Sequence, residues 1–427
     1  MSSPKAAASV HPALRAFRSK SFRIFYAGQG LSLLGNWMQT VAMSWLVYRV
    51  TGSALLLGVT AGAQQLPILV LSPVAGVWAD RVNRRRLLML IQSLAFVQAL
   101  ALALLTFADV VRVPQLIVLA LFLGIITAFE TPTRQAFLLE LIEHREDLPN
   151  AIALQSMLFQ STRFVGPSVA GLVLAALGEA WCFLANALFY LAIIATYAVV
   201  RVKPRKPPDT GVEWWRELAS GFAYAFGFTG TRRLLLLLMA MGFFTAPWSS
   251  LMPIFAAETF SGDSRTFGFL IGAVGLGAIA GTFALAARAS VRGLGRVVAS
   301  TTVVAGVALA GFSLSGTLWL SLAFLAVFGA GLVVTAASIN TVLQTLADED
   351  KRARVISMYV MCFLGFAPIG NFTAGALAEV IGAHWTLFCC GLVVALAGGT
   401  FALGLKSWAR AVRPVYLRQG IIREPRV

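Results

Sequence analysis

The residues able to do chemistry in this chain are polar side chains set inside long apolar runs. Asn36, Gln39, Thr40 and Met43 recur at i, i+3, i+4 and i+7, and Ser156, Gln160, Arg163 and Pro167 likewise share one helical face. Gln64 and Gln65 precede Pro67. Amides, hydroxyls and a guanidinium at such positions can hydrogen-bond or ion-pair with a ligand. Covalent chemistry has no support: the chain carries no HExxH, GxSxG, Walker A or GxGxxG pattern. Its four cysteines, Cys182, Cys362, Cys389 and Cys390, lie in apolar runs without a CxxC pair and read as small buried hydrophobes. His11, His144 and His384 are scattered. No metal, no cofactor and no enzymatic activity is expected, which leaves binding.

The elements that must position these groups follow from composition. The chain has 427 residues, 58% hydrophobic and 12% charged, whereas a soluble domain holds about 25% charged residues. That leaves too little polar surface for a water-facing fold and argues against a soluble enzyme, a disordered protein or a disulfide scaffold. A membrane-spanning helix needs about 20 apolar residues. Such runs fall near 22–48, 54–78, 87–108, 114–133, 150–177 and 181–200, and again near 234–257, 266–287, 297–315, 318–341, 354–381 and 385–405. Between the sets lies Arg201 to Arg233, with RVKPRKPPDTG and the tryptophans Trp214 and Trp215. The expected fold is therefore an all-α membrane protein of twelve transmembrane helices in two pseudo-symmetric six-helix bundles. Residues 1–200 form the first bundle, 201–233 a central linker on the cytoplasmic side, and 234–427 the second bundle and tail. Met1 to Arg23 is basic and polar, and the run after it is too long for a signal-peptide core, so it reads as a retained first helix.

Charge placement tests this topology. The formal net charge is +16, from 34 Lys+Arg against 18 Asp+Glu. On a soluble chain that excess would suggest nucleic acid. With the N-terminus inside, every Lys and Arg except Arg49, Arg112, Arg163 and Arg265 falls on the cytoplasmic side. That asymmetry predicts a multi-pass protein of the cytoplasmic (inner) membrane with both termini cytoplasmic. It removes nucleic acid as a partner and leaves the lipid bilayer and a small molecule. A monomer is expected.

The halves resemble each other. Gly166 and Gly171 bracket GPSVAG in the fifth run, and Gly370 and Gly375 bracket GNFTAG in the eleventh at the same offset. The charged loops before them, REDLPNAIAL and EDKRARVISM, match at that offset too.

The loop after the second run reads Gly76, three residues, Asp80, Arg81, then Asn83, Arg84, Arg85 and Arg86. Inside a bilayer these charges would be costly. At a cytoplasmic turn, Gly76 permits close helix approach, Asp80 can bond backbone N–H groups or a helix N-terminus across the halves, and Asn83 suits a left-handed turn residue. This loop resembles the GxxxD(R/K)xGRR signature of the major facilitator superfamily, with Asn83 where the signature has glycine. The stretches 22–58, 63–88 and 132–156 are similar to the branch of that superfamily holding enterobactin exporters and related transmembrane secretion effectors. The resemblance implies efflux of siderophores or drugs in exchange for protons. Arg163 to Gly171 partly matches the antiporter motif of the fifth helix, but Thr162 stands where that motif has an earlier glycine.

At about 1.5 Å per residue, Arg163 lies about 20 Å beyond Asn150, and Gln64 about 15 Å beyond Ala54. Asn36, Gln39, Thr40, Gln64, Gln65, Gln160 and Arg163 therefore fall at similar depth and are the candidate substrate cavity, with Trp248 and Asn371 from the second half. An interhelical hydrogen-bond network is the competing reading. Arg163 either meets an anionic substrate group or pairs with backbone carbonyls and Gln160. Glu130 either forms a gate pair with Arg81 or Arg84 when the inner side closes, as the resemblance implies, or carries the proton, or is a plain surface acid. Pro247 and Pro253 flank Trp248 as a hinge. Gly166, Pro167, Gly171, Gly268, Gly272, Gly277 and Gly281 are candidate helix-packing positions. The sequence reading is thus a secondary active exporter of a small organic molecule working by alternating access. An importer, uniporter or lipid flippase of the same fold, or a membrane sensor, remains open at this stage.

Overall fold

The computed structural model describes residues 12–142, 145–200, 224, 226–288, 290–348 and 351–418. The side chains of Gly76, Asp80, Arg81, Gln160 and Arg163 lie outside this description, as do residues 201–223 of the expected linker. The described part is helical throughout. The first six helices are α1 (Lys20–Thr51), α2 (Ala54–Arg81), α3 (Arg84–Phe107), α4 (Val113–Leu141), α5 (Leu148–Leu177) and α6 (Glu179–Val199). The later ones are α7 (Thr229–Thr245), α8 (Pro247–Ile254), α9 (Ser264–Ala286), α10 (Leu294–Leu314), α11 (Leu318–Leu346), α12 (Arg352–Leu364), α13 (Ala367–Ile381), α14 (Ala383–Leu403) and α15 (Leu405–Arg418).

Local chemistry sets the boundaries. Ser19, Ser53, Asn83 and Asp263 cap α1, α2, α3 and α9, each side-chain oxygen accepting from a backbone N–H in the first turn. Two membrane crossings are broken, and proline marks both. Pro247 opens α8, after which the helix widens to a π turn over Phe255–Thr259. Pro368 sits in the first turn of α13, just past the break that ends α12. Gly178 and Gly382, at φ +88° and +86°, join α5 to α6 and α13 to α14 within a single residue. A side chain would be strained at either turn, and the matched pair reinforces the internal repeat.

Among the described residues, ten helical crossings are long and apolar enough to span a bilayer by composition. Large side chains on the outer surface are apolar, with Phe283, Trp319, Val380 and Leu403 at least 72% exposed. Such surface fits lipid rather than water.

The core divides in an informative way. One apolar cluster takes residues from both sets of helices, from Met38 to Leu57 and Ala170 to Phe183 on one side and from Met241 to Val274 and Ala378 to Cys390 on the other. It lies at the end away from the basic loops. At the basic end there are two clusters. One is built only from the first six helices and includes Phe25, Leu88, Phe137 and Tyr197. The other is built only from the later helices and includes Leu235, Val298, Val342 and Trp408. Among the described residues, the two halves share one core at the end away from the basic loops and have separate cores at the basic end.

Two glycine crossings make the shared end possible. A Cβ on Gly171 of α5 would lie 2.8 Å from the Cα of Gly268 in α9, and a Cβ on Gly375 of α13 would lie 2.9 Å from the Cα of Gly58 in α2. Those contacts are to backbone, which cannot yield. Gly277 and Gly281 instead press α9 against the backbone of Ala326 and Ala330 in α11. Gly166 sits under Trp37, the Pro167 carbonyl abuts Gly268, and Gly272 is buried.

The structure corrects three readings. Arg134, assigned by sequence to a loop, lies within α4, which runs on to Leu141. Asn83 has φ −67°, because its side chain caps α3 instead of making a left-handed turn. Cys389 is exposed, while the other three cysteines are buried. A Gly58→Val substitution is expected to force the α2–α13 crossing apart. Spin labels at Thr51 and Val380 should separate by several ångströms, and transport should fall at least about tenfold. An unchanged distance distribution would show that this crossing does not hold the end shut.

Candidate functional site

Directly inside the shared core, the two halves meet through polar groups. Asn371, in the first turns of α13 and 1% exposed, accepts a hydrogen bond from the Ser250 hydroxyl of α8 at 2.9 Å. Its amide nitrogen faces the Gln65 carbonyl oxygen of α2 at 3.5 Å. At about 1.5 Å per residue, Gln65 lies about 16 Å from the start of α2 and Asn371 about 15 Å from the end of α13. The node therefore sits near the middle of a bilayer roughly 30 Å thick. Proline placement explains the approach. The breaks beside Pro247 and Pro368 free the backbone on both helices that carry the node. Gln64 is half-buried one residue away, its carbonyl pressed on Gly124 of α4.

The face predicted on α1 divides into two roles. Gln39 is 1% exposed and points into the first bundle, donating to Gln98 of α3 at 3.0 Å and accepting from Asn186 of α6 at 2.7 Å. It is a strut among three helices and not a cavity residue. Asn36 accepts from the Tyr190 hydroxyl at 2.5 Å, and the Thr40 hydroxyl returns to the Asn36 carbonyl at 2.8 Å. Both remain half-buried. Trp248 is 9% exposed and packs edge-on against Phe328, 5.9 Å between ring centres, so it belongs to the shared core. The expected roles of Gln160 and Arg163 fall on side chains outside the described ones.

The end away from the basic loops is clasped by two carboxylates. Glu379 of α13 accepts from the Ser53 hydroxyl at 3.0 Å and from the Leu55 backbone N–H at 3.1 Å. It thereby places a negative charge on the N-terminus of α2, where the helix dipole favours it. Glu258, in the π turn after α8, accepts from the Tyr48 hydroxyl at 2.7 Å. Trp45 stacks on Phe267 across the same seam at 6.0 Å. Within the first half, Arg49 pairs with Glu179 at 2.7 Å.

At the basic end, Arg84 and Arg85 have partners in their own half. Arg84 pairs with Glu140 of α4 at 2.6 Å. Arg85 donates to the Tyr197 carbonyl at 2.5 Å and to that of Ala198, gripping the last turn of α6. Glu130 pairs with Arg134 one turn along α4 at 2.8 Å, and both side chains are mostly buried. In this structure Glu130 therefore lies with Arg134 and Arg84 with Glu140; the expected gate pair of Glu130 with Arg81 or Arg84 belongs to the state with the inner side closed. Because α4 is longer than expected, it carries a nearer cation for Glu130 and a nearer acid for Arg84.

Sequence reasoning passed over Ser250, Gln98, Asn186, Tyr190 and Glu140. Gln98 and Asn186 were detectable, since each is an amide isolated in an apolar run. Ser250 carried no such signal, because serine is common in membrane helices and only the α8 break aims it at Asn371.

Comparison with known proteins identifies the class. The chain belongs to the transmembrane secretion effector family of the major facilitator superfamily, whose profile matches residues 11–411. Among relatives, the staphyloferrin A transporter of Staphylococcus aureus is 27% identical over 87% of this chain and 92% of its own length. The multidrug efflux pump Tap of Mycolicibacterium fortuitum is 27% identical over 85% and 90%. Macrolide efflux protein A of Streptococcus pyogenes is 24% identical over 88% and 94%. A bacterial homologue of the human lysosomal transporter Spinster, solved inward-facing and unoccupied, superposes with a TM-score of 0.72 at 14% identity, covering 94% of this chain and 99% of that one. The protein is a membrane transporter of small molecules and not an enzyme.

Replacing Gln39 by leucine should remove the donor to the Gln98 side-chain oxygen and the acceptor of the Asn186 side-chain N–H, and cost about 1–3 kcal/mol for two interhelical bonds. Thermal unfolding in detergent should register the loss while the substrate KM stays unchanged. A raised KM with normal stability would return Gln39 to the cavity.

Proposed function

We propose that this transporter exports small amphipathic organic molecules across the cytoplasmic membrane by alternating access, in exchange for protons. The single observation that carries the reading is the division of the core among the described residues: one shared cluster at the end away from the basic loops and two separate clusters at the basic end. With the basic end cytoplasmic, as the positive-inside asymmetry favours, this arrangement is the inward-facing state, ready to load cargo from the cytoplasm. Both termini then lie inside. The two six-helix units, 1–200 and 234–427, rock about the central node while 201–233 links them. One copy of the chain suffices, and nucleic acid takes no part.

Cargo enters from the basic end and meets the node of Gln65, Ser250 and Asn371, with Asn36, Thr40 and Gln64 at comparable depth. These are neutral donors and acceptors bordered by apolar core. They suit an amphipathic molecule with a few hydroxyl, amide or carbonyl groups. Arg163 supplies the charge for an anionic cargo. The efflux names of two relatives and the siderophore name of a third support this class of substrate.

Cycling opens the Glu379 and Glu258 clasps and closes the basic end. There Gly76, Asp80, Arg81, Asn83, Arg84 and Arg85 meet the opposite half, with the Glu130–Arg134 and Glu140–Arg84 pairs as neighbours. The force is the proton gradient, with no bound cofactor.

The test is proteoliposomes holding a pH-sensitive dye, challenged with macrolides, lipophilic cations and carboxylate siderophores under an imposed pH gradient. At least one class should drive counter-movement of protons and should accumulate against its own gradient. Arg163→Ala should raise KM about tenfold for anionic cargo only. Asp80→Asn should slow turnover more than it lowers stability. Substrate movement indifferent to the pH gradient would refute proton exchange.

A further inference from the structure

The last helix was not absorbed by the transport mechanism. α15 (Leu405–Arg418) follows the final membrane crossing with only Gly404 between them, so it begins at the membrane surface. One face is packed. Trp408 and Val412 are 4% and 1% exposed, and Leu405, Val415 and Tyr416 rest on the separate core of the second half. The Trp408 indole N–H donates to the Gly230 carbonyl at 2.9 Å, and its ring lies where a Cβ on Gly295 would be. Arg233 donates to the Gly404 carbonyl at 3.1 Å and to the Ser407 hydroxyl at 2.6 Å, which fixes the helix at its first turn. The helix cannot roll without breaking these bonds.

Its other face is therefore held outward. Lys406, Arg410 and Arg413 stand at i, i+4 and i+7, with Arg418 beyond them, and all four are exposed. The helix contains no acidic residue. Arg232 and Arg296, next to its packing partners, are exposed as well. A rigid amphipathic helix at the hydrocarbon boundary, with a cationic stripe on its open face, matches the geometry of surface-lying helices that bind anionic lipid.

We propose that α15 is a binding site for anionic phospholipid headgroups of the adjacent leaflet, with Lys406, Arg410 and Arg413 as the contacting cations. The docked face positions the stripe, and charge complementarity selects the lipid. Through Trp408 and Arg233 the same helix braces the start of α7, so headgroup occupancy is passed to the end of the transporter that must move. The proposal does not depend on the direction of transport.

The experiment uses the full-length protein reconstituted in bilayers of phosphatidylcholine with one fifth phosphatidylglycerol, where spin-labelled lipid reports headgroup preference. The wild type should select phosphatidylglycerol over phosphatidylcholine. The preference should fall as salt is raised. A variant carrying Lys406→Gln, Arg410→Gln and Arg413→Gln should lose the selectivity of those sites by at least about tenfold, since each cation near an anionic surface is worth about fivefold. A charge-preserving variant, Lys406→Arg with Arg410→Lys and Arg413→Lys, should keep it. Single Arg410→Gln and Arg413→Gln variants leave the packed face untouched and should each lose a few-fold, which carries the test if the triple variant unfolds. Equal selectivity in the glutamine variants and the wild type, or binding of an acidic protein with no lipid preference, would overturn the proposal.

Discussion

Two places where helix backbones touch, α5 on α9 and α2 on α13, govern the rest of this molecule. Membrane helices gain little from hydrophobic segregation, because lipid is as apolar as leucine, so close packing must hold them. Glycine at both crossings lets main chains reach contact, and a single apolar core closes over them. Packed interiors resist gradual deformation and exchange one arrangement for another. A core merged at one end therefore goes with cores parted at the other. The carboxylate clasp of Glu379 and Glu258 lies at the same end and adds directional bonds to the seal.

The need to satisfy polar groups in a low dielectric sorts the rest. An amide left unpartnered in hydrocarbon is costly. Gln39, Gln98 and the Asn186 amide nitrogen meet that demand inside one bundle, and so do Asn36 and Tyr190. Those bonds survive when a bundle moves as a body. Asn371 meets it with Ser250 in its own half and with Gln65 across the seam, and only the second contact must change as the halves rock. The polar residues thus divide into struts within the first bundle and a central node that joins the two halves.

The basic end follows the same logic at higher charge. Arg84 and Arg85 satisfy Glu140 and the last carbonyls of α6, and Glu130 is satisfied by Arg134. These local pairs keep the charges compensated while the two separate cores stand apart. Beyond them α15 closes the second half's core with Trp408 and turns its cations outward.

The sequence by itself determined the class, the number of crossings, the internal repeat and the charge asymmetry. Each rests on local properties: apolar run length, the spacing of glycines, and the position of arginine relative to hydrocarbon. It also marked Asn371 and the glycines Gly171, Gly268 and Gly375, though not Gly58, because a polar group or a missing side chain within an apolar run is visible residue by residue. Tertiary structure alone decided which way those groups turn. Periodicity placed Gln39 and Asn36 on one broad face, but a rotation of one helix by a fraction of a turn separates a strut from a cavity residue. Ion-pair partners were equally hidden. The extension of α4 to Leu141 gave Glu130 a cation one turn away and gave Arg84 a different acid. The Glu130–Arg134 pair follows from i,i+4 spacing once the helix is known to continue, whereas the Arg84–Glu140 pair depends on the distance between α3 and α4, which a linear sequence does not contain.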